Sequence, residues 1–327
     1  MNYSLKENQG IPASLLWTLS VIAALSVANL YYNQPLLNQI SKDLAVSEFT
    51  ANLIPMTTQL GYAMGLLFII PLGDLYERRT IITVNFMLLA FSMCAIAISP
   101  DIHYVLAASV ITGICSVMPQ IFIPIASQFS HPDHKARNVG ILVSGLLTGI
   151  LGSRVISGIV GEYWGWRTMY YIASALMICC LFIVRKTLPE MPSNFKGTYK
   201  GLMSSLLKLF ASLPAIRIVS IRAALCFGSF LTLWACLAFK LSGAPFYAGN
   251  NIIGLLGLCG IAGALTASFV GSYVRKCGVR NLNYIGDALM ILAWIIMLVL
   301  QDYYIGFIIG IIIIDIGRNF IHTGKWM

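Results

Sequence analysis

Charged residues are scarce in this chain. Only 10% of its 327 residues are Asp, Glu, Lys or Arg, whereas 58% are hydrophobic, and the mean hydropathy is +0.82. A soluble domain of this size could not cover its surface with so few charges. Apolar windows of about twenty residues, long enough to cross a bilayer as helices, recur along the whole chain. The composition therefore excludes a soluble protein and predicts an all-α polytopic membrane protein.

Motifs for chemistry at a metal or a nucleophile are also lacking. A membrane protease would need paired aspartates, a serine motif or H-E-x-x-H, and only "YIGD", ending at Asp287, comes near any of these. Seven of the eight cysteines fall within apolar windows, so no disulfide framework is available. His131 and His134 have metal-like spacing without further ligands, which favours a solvated loop. We expect no enzyme, no metal site and no cofactor.

The apolar windows predict ten transmembrane helices. They lie near Leu15 to Leu37, Thr50 to Leu72, Thr80 to Ile98, Tyr104 to Ala126, Val139 to Gly161, Thr168 to Val184, Ile216 to Ala238, Ile252 to Tyr273, Leu282 to Leu300 and Tyr303 to Phe320. The stretch between the sixth and seventh windows is polar, basic and contains three prolines, which is typical of a linker. We therefore predict a six-helix half over 1–187, a cytoplasmic linker over 188–213 and a four-helix part over 214–327.

The basic residues predict the orientation. With the N-terminus in the cytoplasm, seventeen of the twenty-one Lys and Arg residues lie in or beside cytoplasmic segments, as short basic loops require. The net charge of +9 is then a signal of topology and of affinity for anionic headgroups. Charges divided among short loops offer no continuous groove for a phosphate backbone, so we expect no nucleic-acid partner.

An internal repeat accompanies these helices. The run "GYAMGLLFIIPLGDLYERR" from Gly61 matches "GIAGALTASFVGSYVRKCGVR" from Gly260, and Gly73 falls on Gly271, an offset of 198 residues. The segments "VANLYYNQPLL", "PLGDLYERR", "PQIFIPIAS", "RNVGILVSGLLTGILGSRVISGIVGEYWGWR" and "GLLGLCGIAGALTA" occur in order at the helix boundaries. Together they resemble bacterial permeases of the major facilitator superfamily, in the drug:proton antiporter and sugar-efflux branch.

The resemblance implies twelve helices in two six-helix halves around a central cavity, which moves small solutes by alternating access. The offset would place two more helices at about positions 337 to 359 and 366 to 382, whereas the chain stops at Met327. After Gly317 the text "RNFIHTGKWM" no longer resembles the family. We therefore expect a truncated or frameshifted product after the tenth helix, and an inactive remnant of a transporter is the alternative to an active one.

Polar groups inside the spans are costly and are the candidate site residues. Arg154, on the fifth predicted helix, could bind an anionic group of a solute or hold a proton-coupling carboxylate; alternatively, its side chain extends to the outer surface. The other candidates for the pathway of solute and protons are Asn29, Tyr32, Gln59, Tyr62 and Gln120. An interfacial aromatic belt or hydrogen bonds between helices are the alternative roles for these five.

The charged loop after the second span is the remaining candidate. It holds Gly73, Asp74, Glu77, Arg78 and Arg79. The arginines hold the loop in the cytoplasm, and the two acids can pair with them at the headgroups. The resemblance implies that this loop also latches the two halves together in one access state. Asp287 and Asp315 are interpreted as partners of Arg275, Arg280 or Arg318 in a structural latch, and a proton-carrying role is the alternative.

These patterns and the resemblance together predict a carrier in a bacterial inner membrane with its N-terminus in the cytoplasm. We expect proton-coupled efflux of a small organic solute, either a drug-like compound or a sugar. The expected partners are the solute, protons and the lipid bilayer, and the expected oligomeric state is a monomer.

Overall fold

The computed structural model describes residues 5, 7–189, 191 and 197–323, and for residues 262–277, 279 and 322–323 it describes the backbone alone. Every regular element in these ranges is a helix. The chain divides into two compact units, Met1–Ser204 and Ser205–Met327. The division falls inside the predicted linker.

Nine α-helices lie within the described part of the first unit. They are α1 (Ala13–Ala28), α2 (Leu37–Asp43), α3 (Glu48–Phe68), α4 (Leu72–Leu75), α5 (Arg78–Ile98), α6 (Ile102–Cys115), α7 (Pro119–Phe129), α8 (Lys135–Trp164) and α9 (Trp166–Thr187). A further helix, α10 (Tyr199–Ser212), crosses the division between the units. The second unit continues with α11 (Pro214–Ser242), α12 (Asn250–Leu255), α13 (Gly260–Val299) and α14 (Tyr304–Thr323).

The predicted all-α membrane fold is confirmed. Eight of the described helical segments are long and apolar enough to cross a membrane, and the shorter apolar helices Ala13–Ala28 and Asn250–Cys259 belong to the first and eighth predicted spans. The range of α13 contains most of the eighth span and the ninth span, and it is broken at Gly278, whose φ of 76° and ψ of 154° are not helical. That left-handed backbone suits glycine, and it separates the two spans.

Prolines interrupt two of the predicted spans. Pro35 has no N–H to donate to a helical hydrogen bond. Before it, the backbone narrows to 3₁₀ geometry: Leu30 N and Tyr31 N donate to carbonyls three residues back, at 3.1 and 2.9 Å. A short 3₁₀ helix (Gln34–Leu36) then leads into α2. Pro119 follows a similar turn between α6 and α7. Both breaks place polar backbone in the interior of the first unit.

Close packing of α1 against α8 fixes the position of the first break. A Cβ atom added at Gly149 would lie 2.6 Å from Ala24 Cα, and one added at Gly145 would lie 2.6 Å from Ser20 O. The hydroxyl of Ser20 also donates to the carbonyl of Ile141 at 3.0 Å. Small residues allow this approach of two membrane helices. The turn that follows α1 is consequently held beside the middle of α8.

An ionic cluster closes the end of the first unit that we predict to be outside the cell. Asp43, at the end of α2, pairs with Arg167 and accepts a hydrogen bond from Trp166 Nε1 at 3.1 Å. Arg167 also donates to the carbonyl of Ser99 at 3.0 Å. The hydrogen bond from Arg167 holds the pKa of Asp43 below its ordinary value of 3.8. The cluster joins α2 to the end of α5 and the start of α9.

We expect Asp43→Asn to lower thermal stability modestly at neutral pH. Because the folded pKa is lowered, the contribution of Asp43 is complete above 3.8 and disappears as the pH falls through the folded value. Thermal unfolding of wild type and variant as a function of pH checks this, with Asp133→Asn in an exposed loop as the control. A difference that persists at full size below the folded pKa would contradict the ionic role.

The second unit is held by α13 against α14. A Cβ atom added at Gly317 would lie 2.8 Å from Gly286 O, so these helices also meet at glycine. Asp315 Oδ1 lies 3.2 Å from Arg318 Nη2, a pairing that the sequence suggested. Asp287 instead pairs with Arg222 of α11, a partner that the sequence did not predict. The side chain of Arg275, one of those partners, lies outside the described side chains.

The predicted linker contains a helix, α10, that the sequence did not predict. None of its residues is buried, and Tyr199 at its start donates from its hydroxyl to the carbonyl of Phe68 at 3.2 Å.

Candidate functional site

A buried polar turn follows α1. We call residues 29–34 the polar turn; it contains Asn29, Tyr31, Tyr32, Asn33 and Gln34, each of them at most 5% exposed. Polar groups in a membrane interior are expensive unless they are hydrogen-bonded. A buried stretch of this length therefore brings together an unusual number of hydrogen-bonding groups for an apolar bundle.

Arg154 of α8 lies against the polar turn. Its Nε donates to Gln34 Oε1 at 2.7 Å, and its Cζ lies 5.0 Å from the centre of the Tyr31 ring. The residue is 1% exposed. The guanidinium is thus held in the interior, and its side chain does not extend to the outer surface.

Several polar atoms of this stretch have unmet hydrogen-bonding capacity. Among the residues that the structure describes, no partner is found for Ser26 Oγ, Asn29 Oδ1, Asn33 Oδ1 or Gln34 Nε2, all of which are buried. Most buried polar atoms in native proteins have a partner. Four such atoms within nine residues indicate a place where a solute or water supplies the missing bonds.

Asn29, whose spacing from Tyr32 predicts a shared face, lies against α9. Asn29 Nδ2 donates to the carbonyls of Leu25 and Ser26, both at 3.1 Å, and lies 3.3 Å from Met177 Sδ.

Tyr62 and Gln120 extend the polar contacts away from Arg154. Gln120 Nε2 of α7 donates to Tyr62 Oη of α3 at 3.2 Å, and Tyr62 packs against the buried cluster of Val27, Leu30 and Tyr31. Gln59, about one turn before Tyr62, is half-buried, and no partner is found for its Nε2 in the described part of the chain. We call Arg154, Gln34, Tyr31, Tyr62 and Gln120 the Arg154 cluster. It connects the polar turn with α3, α7 and α8.

The predicted cytoplasmic loop is fastened to α7 and to the N-terminal segment. Arg78 donates to the carbonyl of Gly73 at 3.2 Å and to Gln128 Oε1 at 2.9 Å, and it lies 3.7 Å from Asp74. The amide nitrogen of Gln128 in turn donates to Glu7. The arginine therefore organises the loop within the first unit.

The other loop residues make local contacts. Arg79 donates to the carbonyl of Arg185 at the end of α9, and Glu77 Oε2 accepts from Thr80 Oγ1 at 2.7 Å. The role of the loop as a latch between two halves stays a prediction.

Metal-ligating side chains are dispersed across the described ranges. These ranges contain no group of three or more His, Cys, Asp or Glu side chains that could hold a metal ion. The rings of His131 and His134 are 6.2 Å apart.

Comparison with known proteins identifies related sequences. The sequence pattern of the Major Facilitator Superfamily matches residues 17–324. The uncharacterized transporter YgaY of Escherichia coli O157:H7 is 35% identical over 317 residues, which are 97% of this chain and 80% of that protein. The inner membrane transport protein YnfM of Escherichia coli K12 is 23% identical, with 83% of this chain and 66% of that protein covered.

Solved structures share the fold. A bacterial homolog of the human lysosomal transporter Spinster, in an inward-facing and occupied conformation, superimposes with a TM-score of 0.78 at 17% sequence identity. The match covers 96% of this chain and 73% of that one. The nucleoside transporter NupG gives a TM-score of 0.72 at 14% identity, with 94% of this chain and 80% of that one covered.

Proposed function

The chain belongs to the Major Facilitator Superfamily of membrane transporters, which are not enzymes, and from this premise we propose that it carries a small organic solute by alternating access. The proposed solute is a drug-like compound or a sugar. We further propose that transport is coupled to protons and directed out of the cell.

One observation carries the assignment of the site. Arg154 and the polar turn lie buried in an otherwise apolar bundle, and several of their neighbouring polar atoms lack partners among the described residues. A purely structural core would lose free energy by keeping such atoms there. Intramembrane charge is in general a sign of a substrate or ion pathway, which supports transport through this cluster.

The charge distribution and a relative support the proposed location. Lys and Arg concentrate in the loops that we predict to be cytoplasmic, which favours an N-terminus inside. YnfM bears the name of an inner membrane protein, and we propose the bacterial inner membrane for this chain as well.

Gradient-driven flux tests the proposal. The purified chain is reconstituted into vesicles with an imposed proton gradient, and the movement of a fluorescent drug and of labelled sugars is followed. We expect flux that exceeds that of empty vesicles and disappears when a protonophore removes the gradient. No gradient-dependent movement across a broad panel of solutes would contradict the proposal and would favour an inactive form of the transporter.

A further inference from the structure

We infer that the solute carries an anionic group, such as a carboxylate, and that this group binds beside the hydrogen-bonded pair of Arg154 and Gln34. The inference rests on the proposed function, because it names the chemical class of the solute that occupies the same site. It starts from a buried hydrogen-bond donor of the polar turn, Gln34 Nε2, for which the described residues offer no acceptor.

The orientation of the Gln34 carboxamide is fixed by its neighbour. A guanidinium can only donate, so the Gln34 atom that lies 2.7 Å from Arg154 Nε must be the oxygen. The nitrogen of the same carboxamide is then a donor, and no acceptor for it is found in the described residues, although Gln34 is only 1% exposed. A buried donor of this kind calls for an acceptor from outside the described protein groups.

An acceptor that reaches Gln34 Nε2 also lies beside a positive charge. The oxygen and nitrogen of a carboxamide are bonded to one carbon, so this nitrogen is a close neighbour of the guanidinium that the oxygen contacts. A carboxylate can place one oxygen on this nitrogen and turn the other toward Arg154. Bonds between guanidinium and carboxylate are about twice as strong as neutral ones, whereas a neutral acceptor would use the donor but not the charge.

The position of Arg154 is prepared before any solute arrives. The Tyr31 ring lies 5.0 Å from Arg154 Cζ, within the range of a cation–π contact. Tyr31 itself belongs to a buried cluster with Val27 and Leu30, against which Tyr62 packs. A guanidinium held between an aromatic ring and a carboxamide loses little freedom on binding an anion, which favours affinity.

Matched pairs of small molecules test the inference. We use glucuronate against glucose, and salicylate against salicyl alcohol, because the members of each pair differ chiefly in a carboxylate. Binding to the purified full chain is measured from the ligand concentration dependence of its thermal unfolding. For at least one pair, we expect the carboxylate to bind about tenfold or more tightly than its neutral counterpart, the size of one charge-assisted bond.

Three variants test whether the preference for a carboxylate depends on Arg154 and Gln34. Arg154→Gln removes the positive charge. Gln34→Glu adds a carboxylate of the protein that pairs with the Arg154 guanidinium in place of the ligand. Both variants are expected to abolish the preference for the carboxylate ligand. Arg137→Gln makes the same change at an exposed position of α8 and is expected to keep it. If Arg154→Gln does not fold, Gln34→Glu still decides the result, because it retains a partner for the arginine.

The outcomes separate this inference from the proposed function. Equal binding of both members in every pair, or a preference that survives in Gln34→Glu, overturns the inference. Gradient-driven flux of a neutral solute without any carboxylate preference would overturn the inference and leave the proposed function standing. A carboxylate preference that depends on Arg154, without flux in vesicles, would support the site and contradict the proposed transport.

Discussion

Replacing Arg154 with leucine is expected to abolish gradient-driven transport and to leave the protein folded. Truncating one partner of a buried, hydrogen-bonded charge weakens binding by about 2–5 kcal/mol, so solute affinity should fall by at least one order of magnitude. The stability should fall by no more than about 1–3 kcal/mol, because the leucine leaves Gln34 Oε1 without its donor while the cost of keeping a charge in the interior disappears. Flux in vesicles and thermal unfolding of the same preparation measure both effects.

This pair of results distinguishes a transport residue from a structural one. Arg137→Leu, at an exposed position of the same helix, is the matched control and should keep wild-type flux. If Arg154→Leu unfolds at a much lower temperature while each folded molecule still transports normally, then Arg154 holds the helices together and does not serve the solute.

Introducing valine at Gly149 is expected to cause the largest loss of folded protein. The added Cβ would lie 2.6 Å from Ala24 Cα, a distance that forces α1 and α8 apart. Overpacking of this kind costs about 1–3 kcal/mol or more, and it would also move the polar turn away from Arg154. The yield of monodisperse protein after detergent extraction, together with its unfolding temperature, measures the effect.

Gly152 provides the control on the same helix. In the described part of the chain, a Cβ atom at Gly152 meets no atom within 4 Å apart from the nearby backbone of its own helix, so Gly152→Val should yield folded protein at close to the wild-type level. Equal behaviour of the two valine variants would show that the close approach of α1 and α8 does not limit stability.

The sequence predicts the helices well because each one must be apolar over a length fixed by the bilayer. Hydropathy therefore identifies the order of the spans. It does not identify α10, since that helix is short and none of its residues is buried. Because a polar and basic stretch with prolines on either side is typical of a linker, the sequence predicts a linker there and no helix.

The candidate site is predicted less completely. Arg154, Tyr62 and Gln120 were chosen from the sequence, but Tyr31 and Gln34 were not, although they contact Arg154 directly. Both Asn29 with Tyr32 and Tyr31 with Gln34 are spaced three residues apart, so each pair can share a face. Which pair turns toward α8 depends on how the chain rotates at the break before Pro35, and hydropathy contains no information on that rotation.

The partner of Asp287 is predicted wrongly for a similar reason. Arg222 lies far from Asp287 in sequence and becomes its neighbour only because α11 and α13 pack in the second unit. Pairing between distant helices is a property of the tertiary fold, whereas Asp315 and Arg318 are one turn apart on α14 and could be paired from the sequence.

The polar turn, buried in this structure, is expected to become accessible to water during transport. Reactivity of a single cysteine tests this most directly: Gln34→Cys in a cysteine-free background is treated with a membrane-impermeant thiol reagent from each side of oriented vesicles. We predict labelling from both sides, whereas Leu36→Cys, at a fully buried apolar position two residues away, should stay unlabelled. If the cysteine at position 34 is as unreactive as the one at position 36 from both sides, the turn is a static part of the core and transport through it is contradicted.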